Sequence, residues 1–222
     1  MLGDNMTKSG VWADTPQRLL TVIIGLPIVL GIVFAGAPLS TITIIVIAGI
    51  ASIELYTISH VNRQRLGLFI IGVLIYIGFP MFLLILIRDG DHGLEWTLML
   101  FFTNWGTDTF ALLGGRMFGK HKLAPRISAG KTWEGAEIGF ISGCCAGWIV
   151  GLTAGLPFLT VLIAPPCVSI MTILGDLLES RIKRLLKVKD ASHLLPGHGG
   201  FLDRIDGLLL AIPVFYVIIK LS

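Results

Sequence analysis

Hydrophobic runs long enough to cross a bilayer recur along this chain from one end to the other. A helix needs about 20 apolar residues to span about 30 Å of hydrocarbon. Runs of that kind fall at roughly 19–36, 38–57, 66–87, 97–115, 136–154, 157–178 and 205–220. With no water to bond the backbone, continuous runs of this length fold as helices, which close their hydrogen bonds internally. Only 14% of the 222 residues are charged, against about 25% in soluble domains, so no added soluble domain is expected. The first run follows Asp4, Lys8, Asp14 and Arg18 with no cleavage-like small-residue site after a short apolar core, and reads as a span. Cys144, Cys145 and Cys167 sit in apolar runs without CxxC spacing and read as reduced, buried thiols. Asn104 and Asp108 interrupt the fourth run, and Pro165 and Pro166 the sixth. Backbone groups freed there must find partners inside the protein.

Lys and Arg fix the expected orientation. With a cytoplasmic N-terminus, 15 of the 17 basic residues fall in inside segments and only Arg88 and Lys220 outside. The net charge of +3 matters less than this asymmetry. The predicted class is all-α: a polytopic integral membrane protein with about seven transmembrane helices and two long cytoplasmic loops that carry the chemistry. Residues 1–96 form N-terminal helices and 97–222 a C-terminal catalytic region, in one continuous membrane domain. The loops are 116–135, RMFGKHKLAPRISAGKTWEG, and 179–204. Basic loops also anchor to anionic headgroups, and Arg63 and Arg65 fit that role. An anchor has no use for the acids, paired glycines and histidines of KDASHLLPGHGGFLDRID at 189–206.

Four carboxylates lie at or near the membrane: Asp108, Asp176 in GDLLES, and Asp203 and Asp206 in DRID. Intramembrane acids are costly and mark functional sites. All four fall toward the cytoplasmic ends of their spans, where they can converge. Carboxylates beside basic groups and glycines suit Mg²⁺ and phosphate, since Mg²⁺ takes one or two carboxylates plus phosphate oxygens and glycine-rich backbone offers N–H groups to anions. Simpler readings stand beside this one. Asp203 also suits the N-cap of the last helix, and Glu179 with Lys183 suits an i,i+4 pair on a helix surface. His193 and His198 are poorly spaced for zinc. AGKT at 129–132 lacks the glycine a Walker A loop needs at position 125, which is Pro125.

The residues Ser180, Lys183, Arg184, Lys189, Asp190, Pro196, Gly197, His198, Gly199, Gly200, Asp203, Arg204 and Asp206 form the pattern SxxKRx₄KDx₅PGHGGxxDRxD. This resembles the signature of the phosphatidate cytidylyltransferases, the CDP-diacylglycerol synthases. DTFALLGGRMFGKHKLAPRIS and KTWEG are similar to a second block of that family, and the likeness covers roughly 104–208. The chain departs from it at Ala129-Gly130, where the family usually has Pro and one further residue before the Lys-Thr, and at Leu112, where a Tyr is common.

The resemblance implies an Mg²⁺-dependent nucleotidyltransferase of phospholipid biosynthesis that converts CTP and phosphatidic acid to CDP-diacylglycerol and pyrophosphate. It implies Asp176 and Asp203 as first metal ligands, with Asp206 and Asp108 next, and leaves room for a monovalent cation such as K⁺. Lys183, Arg184, Lys189 and Arg204 would contact phosphates. Lys131 and Thr132 would reach a phosphate from the other loop. His198, Gly199 and Gly200 would shape the loop over the nucleotide, with Ser128, Ser180 and Asp190 on the substrate side. The expected setting is the inner cell membrane, with the site facing the cytoplasm, membrane lipids as partners, room for a homodimer and no nucleic acid. The nearest alternative is a related transferase for another lipid phosphate, such as an ether lipid. A transporter fits less well, because the polar residues cluster on one side and no internal repeat is visible.

Overall fold

The computed structural model describes residues 15–59, 65–188, 191–192, 194 and 199–221, with side chains described from residue 23 onward. The expectations for Lys189, Asp190, His193 and His198 fall outside these residues. The chain forms α1 (Thr15–Ala35), α2 (Leu39–Ser59), α3 (Leu66–Val73), a π-helical turn (Leu74–Gly78) and α4 (Phe79–Arg88). Then come α5 (Gly93–Phe118), strands β1 (Lys122–Ala124) and β2 (Ser128–Thr132), α6 (Trp133–Thr153), α7 (Phe158–Leu185) and α8 (Leu202–Leu221). Because α3, the π turn and α4 run on without a break, Leu66–Arg88 is one rod.

This is a helical membrane protein. Among the described residues, four helices are both long and apolar enough to cross a bilayer: Leu39–Ser59, Leu66–Arg88, Trp133–Thr153 and Phe158–Leu185. The helices α1, α5 and α8 match the other three expected runs in position. Polar residues dilute the last two: Asn104 and Asp108 in α5, and Asp203, Arg204, Asp206 and Lys220 in α8.

Small residues let the central helices approach closely. On α6, Gly135, Gly139, Gly143, Gly147 and Gly151 recur at every fourth position and are all buried. A Cβ on Gly139 would overlap the Thr107 carbonyl and Ala111 on α5, and one on Gly147 would overlap Thr103 and Pro165. This small-xxx-small stripe is how membrane helices gain van der Waals contact without a hydrophobic driving force. A polar seam runs beside it. Thr172 donates to Asn104 Oδ1 at 2.9 Å, and the hydroxyls of Thr107 and Ser169 meet at 3.0 Å. Asn104, one of the two residues that interrupt the fourth run, thus bonds α5 to α7. Pro165 and Pro166 do not break α7, which continues to Leu185. Pro166 cannot donate to the Leu162 carbonyl, and Trp148 Nε1 takes that place at 3.3 Å.

Two expectations about the loops are corrected. The first loop contains an antiparallel hairpin, with Lys122 opposite Thr132 and Ala124 opposite Ser128. Its turn places Pro125 at the second position, and the Ile127 amide closes it on the Ala124 carbonyl at 3.0 Å. The second loop is shorter than expected, because Ser180, Lys183 and Arg184 belong to α7. Hydropathy ends at the charged residues, but Glu, Arg, Lys and Leu are all good helix formers. The thiols also differ from expectation: Cys144 is buried, Cys167 half-buried and Cys145 exposed.

Candidate active site

The site gathers where α5 and α7 end and α8 begins. Helices of 26 and 28 residues are roughly 40 Å long, more than the hydrocarbon of about 30 Å requires, so their charged ends can reach the interface. Asp108 stands on α5 about 15 Å back from Phe118. Asp176 is on the last third of α7, and Asp203 and Asp206 are on the first turns of α8. With the hairpin they surround a cavity of about 600 Å³. All four aspartates line it, as do Arg116, Ser128, Lys131, Thr132, Lys183 and Arg204. Leu112, Leu123 and Ile173 give it an apolar side.

The hairpin is held over this cavity from both sides. Thr132 N-caps α6, its hydroxyl accepting the Gly135 amide at 3.2 Å. Glu134, in the first turn of α6, accepts the Lys120 amide at 3.1 Å, the His121 amide at 3.2 Å and His121 Nδ1 at 2.6 Å. On the far side Lys131 Nζ lies 2.6 Å from Asp176 Oδ2, clasping β2 to α7. Gly130 has open space where a Cβ would stand.

The carboxylates differ in what they already hold. Asp203 is fully engaged: Oδ1 accepts Lys183 Nζ at 2.7 Å, Oδ2 accepts the Gly200 amide at 2.8 Å, and the Ala191 amide reaches both. Asp203 is not the N-cap that the sequence suggested: it is the second residue of α8 and reaches back to the Gly200 amide just before the helix. Lys183 also meets Glu179 at 2.6 Å. The i,i+4 pair is therefore present, but it is not on a helix surface, since Glu179 is 1% exposed and Lys183 12%. Asp108 accepts Asn104 Nδ2 through Oδ2, Asp176 meets Lys131 through Oδ2, and Asp206 accepts the Gly207 amide through Oδ1. Among the described residues, the second oxygen of each of these three has no hydrogen-bond partner.

Among the described residues no three His, Cys, Asp or Glu side chains converge tightly enough to hold a metal alone. Asp108, Asp176 and Asp206 each keep one carboxylate oxygen without a partner among the described residues, the kind of donor that a hard cation such as Mg²⁺ takes one or two of, alongside water and phosphate oxygens.

Other expected residues are placed elsewhere. Arg184 does not line the cavity; it donates to the Ile127 carbonyl through Nε and to the Val188 carbonyl through Nη1, both at 3.2 Å, tying the hairpin turn to the end of α7. Ser180, half-buried on α7, also lies outside the lining. Gly199 has φ +77° and the Asp203 carboxylate where a Cβ would be; Gly200 has the Glu54 carboxylate there. Both glycines are thus required by the protein's own acids. Glu54 and Arg116 are the residues that sequence reasoning passed over. The signal for Glu54 was present, as it is the one charged residue of an apolar run.

These features define a class: a polytopic helical membrane protein with a carboxylate- and cation-lined cavity at one end of its bundle. The chain belongs to the cytidylyltransferase family, whose profile matches residues 60–222. It is 43% identical to the phosphatidate cytidylyltransferase of Haemophilus influenzae over 58% of this chain and 46% of that protein. The Brucella suis protein of the same name is 42% identical over 65% of this chain and 54% of its own. For the Rickettsia bellii protein of that name, identity is 33% across 97% of this chain and 95% of that one. The chain therefore spans about half the length of the Haemophilus and Brucella relatives it matches, and nearly all of the Rickettsia one.

Proposed function

We propose that this chain transfers a cytidylyl group from CTP to phosphatidic acid, yielding CDP-diacylglycerol and pyrophosphate. A phosphatidate oxygen attacks the α-phosphorus of CTP, a new P–O bond forms, and the bond to the β-phosphate oxygen breaks with loss of pyrophosphate. The nucleophile is already anionic near neutral pH, so no general base is required. The obstacle is repulsion between anions, and positioning with electrostatic stabilisation meets it. The observation that carries this reading is the joining, in one cavity of a cytidylyltransferase-family chain, of three half-free aspartates with Arg116, Lys131 and Arg204. A volume of about 600 Å³ suits a small ligand, as such sites run from about 300 to 1,000 Å³.

Asp108, Asp176 and Asp206 are the proposed Mg²⁺ ligands; when bound, the ion would neutralise triphosphate charge and stabilise the leaving pyrophosphate. Asp203 organises the site through Lys183 and the Gly200 amide. Lys131 releases Asp176 to meet a phosphate, and Arg204 and Arg116 hold further oxygens. Lys189, Asp190 and His198 join the substrate side by family likeness. The cavity faces the cytoplasm of the inner membrane, as the charge asymmetry supports, so CTP arrives from water and the lipid from the bilayer. The test is pyrophosphate release by the purified full chain in detergent with CTP and Mg²⁺. Release should require phosphatidic acid. Release with an ether-lipid phosphate but not phosphatidic acid would change the substrate, and none with any lipid phosphate would overturn the reading.

A further inference from the structure

Helix α2 precedes residue 60, where the family match begins, yet one of its side chains is built into the support of the site. Glu54 is 3% exposed. A carboxylate persists within an apolar span only where strong donors meet it. Its Oε1 accepts the Ser192 hydroxyl at 2.5 Å and the Phe201 amide at 3.1 Å, and Oε2 accepts the Leu202 amide at 2.8 Å. The last two are orphan donors at the start of α8, where a negative charge is also favoured by the helix dipole. Gly200 completes the fit, since a Cβ there would overlap both Glu54 oxygens, while its amide donates to Asp203. Glu54 and Asp203 between them thus accept three consecutive amides, Asp203 that of Gly200 and Glu54 those of Phe201 and Leu202.

We infer that Glu54 is a positioning residue for the transferase site: from α2 it fixes the Gly200–Leu202 backbone, and so sets where Asp203, Arg204 and Asp206 stand at the cavity. It touches no cavity atom itself and acts through the start of α8. The inference rests on the transferase reading above. Phosphoryl-group chemistry is sensitive to such placement, and an error of about 1 Å at reacting groups can cost about a hundredfold in rate.

The test compares the wild-type chain with Glu54→Gln, Gly200→Ala and the double variant in detergent, with Thr41→Ala as a control on the same helix, where its hydroxyl donates to Asp89 at 3.4 Å, away from the cavity. Glu54→Gln should lower kcat by about tenfold to a hundredfold while KM for CTP moves less than about threefold. Its thermal midpoint should fall only slightly, by the loss of one paired donor, too little to unfold the chain at the assay temperature. Backbone amides of 199–206 should exchange faster, with those of α5 unchanged. The double variant should be no worse than the worse single one, because both changes strike one contact. Wild-type kcat in Glu54→Gln, additive losses, or a kcat loss matched by unfolding at the assay temperature would each overturn the inference. An inactive wild-type chain would count against the transferase reading alone, and unchanged exchange at 199–206 in Glu54→Gln against the Glu54 inference alone.

Discussion

Lys183 stands between two acids, 2.6 Å from Glu179 and 2.7 Å from Asp203. Removing this cation leaves Glu179 buried beside a like charge, and breaking a buried pair costs about 3–5 kcal/mol. Lys183→Met should therefore lower the denaturation midpoint sharply, and adding Glu179→Gln should restore most of it while activity stays low. The Lys131–Asp176 pair behaves differently. Asp176 is 35% exposed and Lys131 22%, so this pair is partly solvated and breaking it costs less than breaking the buried Lys183 pair, though more than the roughly 0–1 kcal/mol of a fully exposed one. Asp176→Asn should lower the midpoint much less than Lys183→Met does, yet reduce pyrophosphate release at least tenfold, a loss of about 1.4 kcal/mol per decade of rate. Appreciable turnover in that variant at saturating Mg²⁺ would remove Asp176 from the ligand set. The sequence and its family resemblance singled out the four aspartates, Lys131, Lys183 and Arg204, which line one cavity, but passed over Arg116 beside them. They did not reveal which charge neutralises which, because Lys183 and Asp203 are joined only once α7 and α8 pack. Arg184 is the instructive case: it adjoins Lys183 in the chain, but helical geometry turns it to the Ile127 and Val188 carbonyls.

The run WEGAEIGFISGCCAGWIVG places a glycine every fourth residue from Gly135 to Gly151, so one helix face presents little more than backbone. That face sets the distance between α5 and α6. A Cβ on Gly143 would overlap the Thr107 and Ser169 hydroxyls and the Thr103 carbonyl, and overpacking of this kind costs about 1–3 kcal/mol. Gly143→Ala should reduce thermal stability in detergent, whereas Gly130→Ala, with nothing near its added methyl, should not. Equal midpoints for the two would mean that the ladder is not what packs α6. Hydropathy located every long helix because twenty apolar residues leave the backbone no other option. It was blind to the hairpin, since strands of three and five residues carry no hydropathy signal of their own. It also ended the sixth run too early, at the point where apolarity stops but helix propensity does not.

At the scale of the whole molecule, the cavity, the hairpin and the ends of α5 and α7 occupy one end of the bundle. At the opposite end, Arg88 donates to the Val33 carbonyl through Nε at 2.9 Å and Nη2 at 2.6 Å, and Thr41 lies 3.4 Å from Asp89. Among the described residues that end holds only Arg88 and Lys220 of the basic side chains, beside Asp89, Asp91 and Glu95, and the cavity end holds most of the Lys and Arg. Cytoplasmic segments collect such residues, so the cavity end should face the cytoplasm and seven crossings should leave the C-terminus outside. Single cysteines can test this in a background where Cys144, Cys145 and Cys167 are replaced by alanine. Cysteines at Arg126 and Lys187 should be protected from an impermeant thiol reagent in intact cells and react in inside-out vesicles. Cysteines at Asp91 and Leu221 should show the reverse. All four positions are exposed on the protein, so none is hidden by the fold, and the side is read from which preparation a position does react in. The position at Leu221 is the decisive one. Reaction there only in inside-out vesicles would make the number of crossings even, given a cytoplasmic N-terminus. One of the polar helices, α5 or α8, or the short apolar part of α1 from Ile23 to Ala35, would then have to stop short of crossing.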